Sequence, residues 1–162
     1  MTENRTTILF VCTGNICRSP MAAALFRQRL DEDPARRNWR VLSAGTWAAG
    51  GRASTDHAID EMAARGIDLG GHRSRSIDEG LMEEADLVLV MTQNHAEALS
   101  VSFPEHADKV HLISQMVGET YDISDPYGGP RREYAQVAEA LEKLVDEGYE
   151  RIVSLAEGER HD

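Results

Sequence analysis

The stretch that decides the fold runs from Thr6 to Pro20, TTILFVCTGNICRSP. Its first part, Thr6 to Val11, is short, apolar and β-branched, which predicts a buried strand. After the loop, Met21 to Leu30 carries apolar residues at helical spacing. Ser19 is suited to the N-cap of that helix and Pro20 to its first position. Cys12 to Arg18 is therefore the link between a strand and a helix. Such a link leaves free backbone N–H groups and a partial positive charge where the helix begins.

Working outward, Val41 to Ala44 predicts a second strand, followed by a loop from Gly45 to Ser54. Asp56 to Arg65 predicts an amphipathic helix closed by Gly66, and Asp78 to Ala85 a short acidic helix. Ala85 to Met91 predicts a third buried strand, Asn94 to Ser100 a helix ended by Pro104, and Lys109 to Ile113 a fourth strand. Asp122 to Pro130 is a loop rich in glycine and proline. Arg132 to Leu155 is a long helical segment with Val137, Leu141, Leu144 and Val145 on one stripe, interrupted near Gly148. His161 and Asp162 are expected to fray. Strands alternating with helices give an α/β fold, a four-stranded parallel sheet doubly wound with helices on both faces. Ligands of such sheets lie beyond the carboxyl ends of the strands, where Cys12 sits.

The 162 residues suit one domain, taken as 1–162. A formal net charge of −11 excludes the basic face that duplex nucleic acid needs, so any anion site must rest on local donors. The longest apolar run, Leu87 to Met91, is far too short to span a bilayer. The first residues lack the order of a signal peptide, so a cytoplasmic protein is expected. Two cysteines, Cys12 and Cys17, are too few for a disulfide framework or a zinc site. No metal or other cofactor is expected.

The residue types in the link point to phosphoryl chemistry. Gly14 lets several N–H groups turn inward, and with the helix start they form an anion nest sized for phosphate. Arg18 adds a planar fork for two oxygens. A thiol at Cys12 facing that nest is favoured as thiolate, the nucleophilic form. The reaction expected is cleavage of a phosphate monoester through a phosphocysteine. It needs a general acid, and Asp125, in Ser124-Asp-Pro-Tyr-Gly-Gly129, is the leading candidate; Asp122 lacks the Asp-Pro context and ranks below it. The backbone of Thr13, Gly14, Asn15, Ile16, Cys17, Arg18 and Ser19 is the expected phosphate cradle. Arg52, Arg73 and Arg75 read as solvated charges.

With Cys12-x-Gly14-Asn15-x-Cys17-Arg18-Ser19-Pro20 after an apolar strand and a distant Asp125-Pro126-Tyr127, the chain resembles the low-molecular-weight protein tyrosine phosphatase family over nearly its whole length. The resemblance implies that Cys12 is the nucleophile, Arg18 binds phosphate and Asp125 is the acid. It implies that Asn15 and Ser19 hold the loop, and that Ser43 and His72 support the Asn15 side chain. Ile16, Trp47 and Tyr127 become walls of the substrate cleft. Cys17 either forms a protective disulfide with Cys12 under oxidation or is a packed thiol. The partners implied are phosphotyrosine proteins, a bacterial tyrosine kinase among them, with no nucleic acid, no membrane, and a monomer or weak dimer.

The bacterial branch of that family also includes protein-arginine phosphatases, which carry Thr at the position of Ile16 and Phe at that of Tyr127. Ile16 offers bulk and no hydrogen bond, which favours phosphotyrosine over phosphoarginine. Arsenate reductases of the same fold relay a disulfide through later cysteines, and none follows Cys17. A non-catalytic phosphate-binding module would not need Cys12, Arg18 and Asp125 together.

Overall fold

Ile8, Leu9, Phe10 and Val11 are all fully buried, which places their strand at the centre of the sheet. The computed structural model describes residues 5–158; the expectations for the first residues and for His161 and Asp162 lie outside them. Strands β1 (Thr7–Cys12), β2 (Arg40–Gly45), β3 (Leu87–Val90) and β4 (Val110–Leu112) are all parallel, in the order β2-β1-β3-β4. The central strands β1 and β3 are buried along their whole length and read as continuous apolar runs rather than alternating ones, while the edge strands β2 and β4 are only partly covered.

Among the described residues five α-helices cover the sheet: α1 (Arg18–Asp31), α2 (Asp56–Ala63), α3 (Glu79–Glu84), α4 (Gln93–Ser102) and α5 (Arg131–Gly158). Ile8, Phe10, Leu87 and Leu89 pack beneath α1, α2 and α5, against Met21, Phe26, Met62, Leu141 and Ile152. Leu9, Val11, Val88 and Val90 face the other way, against Leu81 and Met82 of α3 and Leu99 of α4. The sheet is thus doubly wound, as its alternation of strands and helices predicts. The order in which strands are added reverses at β1, with β2 on one side and β3 and β4 on the other, so the crevice between the carboxyl ends of β1 and β3 is the switch point where such folds bind ligands. No helix among the described residues is long and apolar enough to cross a membrane.

Two local expectations are corrected. Helix α1 starts at Arg18, with Cys17 at its N-cap and no side chain capping it, so Pro20 is not at its first position. Ser19 does not cap: its hydroxyl is turned to Cys12 and Asn15. Helix α5 also runs unbroken through Gly148, which is buried. A Cβ there would lie 2.7 Å from Cβ of Met116, in the short 3₁₀ turn Ile113–Val117. This glycine lets α5 pack close to its neighbour; it does not end the helix.

Candidate active site

The loop between β1 and α1 is held open by Asn15. Its φ of 58° is left-handed, and it is the one non-glycine residue with positive φ among the described residues. Asparagine tolerates that region because its short side chain bonds locally. Here Nδ2 donates to Oγ of Ser19 (2.9 Å) and Oγ of Ser43 (3.0 Å), while Oδ1 accepts from the N–H of Arg75 (3.0 Å). Ser19 Oγ accepts from Asn15, lies 3.0 Å from Cys12 Sγ and 3.5 Å from the carbonyl of Ala44, so its proton is shared between the sulfur and that carbonyl; the Ser19 N–H lies 3.4 Å from the same sulfur. Cys12, Asn15 and Ser19 are all buried.

His72 supports the loop differently from the expectation. Its Nε2 donates to the backbone carbonyl of Asn15 (2.7 Å) and not to the side chain. A carbonyl only accepts, so Nε2 carries the proton. Burial lowers the His72 pKa, against the raising effect of the Asn15 carbonyl, with Arg75 and Arg73 adding to the lowering. Arg75 is exposed, yet it is bound: its Nε donates to the carbonyl of Ser43 (3.1 Å) and its N–H fixes Asn15. Reading it as a free solvated charge is corrected accordingly. Arg73 is exposed as expected, with its guanidinium on the carbonyl of His72 (2.7 Å).

Arg18 is 4% exposed at the first turn of α1. Nη1 donates to the carbonyl of Ile123 (2.8 Å) and Nη2 lies 3.6 Å from Oδ2 of Asp125. Nε is buried with no protein acceptor. A buried guanidinium N–H without an acceptor costs free energy unless a ligand supplies one. Asp125 is half-exposed, and its Oδ1 accepts from the N–H of Tyr127 (3.1 Å) in a tight turn. Asp122 is engaged elsewhere, accepting from the N–H of Gln93 (3.0 Å) at the start of α4.

Cys12, Thr13, Gly14, Ile16, Cys17, Arg18, Trp47, Arg52, Asp125 and Tyr127 line one cavity of about 440 Å³. Trp47 is 87% and Tyr127 58% exposed, so two aromatic side chains stand at its rim. Backbone bonds place Trp47: the N–H of Thr46 reaches the carbonyl of Cys12 (2.8 Å), and the N–H of Trp47 that of Thr13 (3.0 Å). Gly45 permits this approach, since a Cβ there would overlap the Thr13 carbonyl. Arg52 also lines the cavity, where the sequence suggested only a solvated charge.

Cys17 is a free, buried thiol within 3.5 Å of Thr55 Oγ1 and 3.4 Å of the Tyr134 hydroxyl. Burial pushes its pKa up, which keeps it a thiol. Sequence reasoning missed His95. Thr92 and His95 form a reciprocal capping box on α4, and Nε2 of His95 meets Oγ1 of Thr13 at 2.8 Å. The Thr92-x-x-His95 spacing just after a buried strand signals the helix start and not the contact with Thr13.

The family model described as low molecular weight phosphotyrosine protein phosphatase matches residues 7–154. A protein-arginine-phosphatase of Bacillus subtilis (strain 168) is 41% identical over 139 residues, 85% of this chain and 91% of that protein. A probable low molecular weight protein-tyrosine-phosphatase, EpsP, of Ralstonia nicotianae is 37% identical over 149 residues, 92% of this chain and 97% of its own length. The crystal structure of a YwlE mutant from Bacillus subtilis superposes with a TM-score of 0.85 at 37% identity, covering 92% of this chain and 99% of that one.

Proposed function

The chain belongs to the low molecular weight phosphotyrosine protein phosphatase family, and from that premise we propose that it hydrolyses phosphotyrosine in proteins, with Cys12 as nucleophile. The observation that carries the reading is that Arg18, whose buried Nε–H has no protein acceptor, lines the same cavity as Cys12. An equatorial phosphoryl oxygen would satisfy that N–H. Backbone N–H groups of the loop from Thr13 to Ser19, with the α1 terminus, then stabilise the charge that builds on the phosphoryl group.

In the first step the Cys12 sulfur forms a bond to phosphorus as the bond from phosphorus to the tyrosine oxygen breaks, and Asp125 gives that oxygen its proton. In the second step water attacks the phosphorus. The Asp125 carboxylate takes the water proton, the phosphorus–sulfur bond breaks, and the thiolate and inorganic phosphate are released. Ser19, held by Asn15, places its hydroxyl 3.0 Å from the Cys12 sulfur, where it can donate a hydrogen bond to the sulfur as leaving group in the second step. Asn15, Ser43 and His72 keep the loop in place. No metal is required by this scheme, since Arg18 and backbone N–H groups supply the positive potential.

Ile16, Trp47 and Tyr127 favour an aryl ester: Trp47 and Tyr127 stand at the rim of the cavity, and Ile16 brings no hydroxyl to the reacting centre. The substrate is then a phosphotyrosine protein, a tyrosine kinase being one such candidate, met in the cytoplasm by a single-domain enzyme. A second reading, phosphoarginine, is favoured by the 41% identity to a protein-arginine-phosphatase. Comparing kcat/KM on phosphotyrosine, phosphoarginine and phosphoserine peptides of one sequence tests the choice. A higher value for phosphotyrosine is expected, and faster cleavage of phosphoarginine would overturn it. Loss of para-nitrophenyl phosphate hydrolysis in Cys12→Ser is the accompanying control.

A further inference from the structure

Across the crevice between β1 and β3, Thr13 and His95 form a contact that the scheme above does not use. His95 is 5% exposed, and both ring nitrogens are engaged. Its Nδ1 accepts from the N–H of Thr92 (3.2 Å), so that nitrogen has no proton and Nε2 carries it. Nε2 therefore donates to Oγ1 of Thr13 (2.8 Å). With one lone pair of the hydroxyl taken by His95, the Thr13 proton points elsewhere. Thr13 is exposed, lines the cavity next to Cys12, and its hydroxyl has no other partner among the described residues.

We propose that Thr13 is a specificity-determining residue whose hydroxyl, held by His95, donates a hydrogen bond to the bridging oxygen of a phosphoester in the cleft. The proposal rests on the phosphatase reading and sharpens its substrate class. An ester oxygen offers lone pairs and gains negative charge as its bond to phosphorus breaks, so this hydrogen bond strengthens in the transition state. The bridging nitrogen of a phosphoarginine bears a hydrogen and shares its lone pair with the guanidinium, so it offers no acceptor in the bound substrate and a weaker, delocalised one as its bond to phosphorus breaks. The device thus selects oxygen esters over phosphoramidates. His95 is a positioning residue here. Burial, and then Arg18, lowers its pKa to about 4, so the ring stays neutral with the proton on Nε2 at neutral pH.

The test is kcat and KM for wild type, Thr13→Val, Thr13→Ser and His95→Phe on phosphotyrosine and phosphoarginine peptides of one sequence. Thr13→Val is expected to lower kcat/KM for phosphotyrosine by about 3- to 10-fold, through kcat, the loss of one hydrogen bond, and to change phosphoarginine by less than about 2-fold. Thr13→Ser should keep the wild-type ratio between the two. His95→Phe should move the ratio the same way as Thr13→Val, because the hydroxyl is then free to turn. A merely structural tie between α4 and the loop would lower both substrates together. Equal losses, an unchanged ratio in Thr13→Val, or Thr13→Ser behaving as valine would each overturn the proposal. Wild type turning over neither peptide would instead overturn the phosphatase reading beneath it.

Discussion

Replacing Asn15 separates what its backbone does from what its side chain does. Asn15→Gly keeps the left-handed φ of 58° at no steric cost and deletes three hydrogen bonds, to Ser19, Ser43 and Arg75. At about 1 kcal/mol each, with water able to repair those nearest the surface, the loss is roughly 2–3 kcal/mol. Asn15→Ala loses the same bonds and, relative to glycine, keeps a Cβ in the left-handed region, a difference of about 1–2 kcal/mol. Glycine's more flexible unfolded chain returns roughly 0.4–1 kcal/mol to alanine, leaving Asn15→Ala the less stable of the two. Urea denaturation reads these differences. Both variants should also lose about 10- to 100-fold in kcat/KM on para-nitrophenyl phosphate, because Ser19 is no longer held against Cys12. An Asn15→Gly enzyme with wild-type stability and activity would refute the reasoning about the side chain. An Asn15→Ala enzyme more stable than Asn15→Gly would refute the reasoning about the backbone.

Two further predictions concern the buried positions Gly148 and His95. Gly148→Ala should destabilise the protein by about 1–2 kcal/mol, overpacking against Met116 outweighing the roughly 1 kcal/mol gain in helix propensity; a higher urea midpoint would contradict it. His95 is neutral when folded, with a pKa near 4, against 6.5 for the ordinary side chain. Its contribution is complete above pH 6.5, is lost as pH falls toward 4 while only the unfolded chain takes up the proton, and is constant below. The ceiling is roughly 3 kcal/mol, or about 1–2 kcal/mol once solvent screening is allowed for. Stability curves of wild type and His95→Gln should therefore converge between pH 6.5 and 4, and parallel curves would contradict this.

The fold was legible wherever a local pattern coincided with its three-dimensional cause. Continuous apolar runs marked β1 and β3 because both faces of those strands are covered, and Cys12 to Ser19 is legible because its chemistry is local. Asp125 was legible from its Asp-Pro context, although it lies more than a hundred residues away in the chain. Errors arose where a distant contact overrode a local rule. Ser19 is a good N-cap by type, but Cys12 and Asn15 claim its hydroxyl. Gly148 looks like a helix breaker, but Met116 needs its missing Cβ. Arg75 looks solvated, but the Asn15 side chain and the Ser43 carbonyl hold it. His95 carries no sequence signal for its contact, since only the adjacency of β1 and β3 brings it to Thr13.

The central claim, that Cys12 carries the phosphoryl group, is tested most directly by trapping the intermediate. Asp125→Asn removes the group proposed to activate water, while a good leaving group such as para-nitrophenolate departs without an acid. Mixing that variant with para-nitrophenyl phosphate, quenching in denaturant and sequencing the peptides by mass spectrometry should place one phosphoryl group on Cys12 and none on Cys17. A phosphoryl group on another side chain, or turnover that survives in Cys12→Ser, would contradict it.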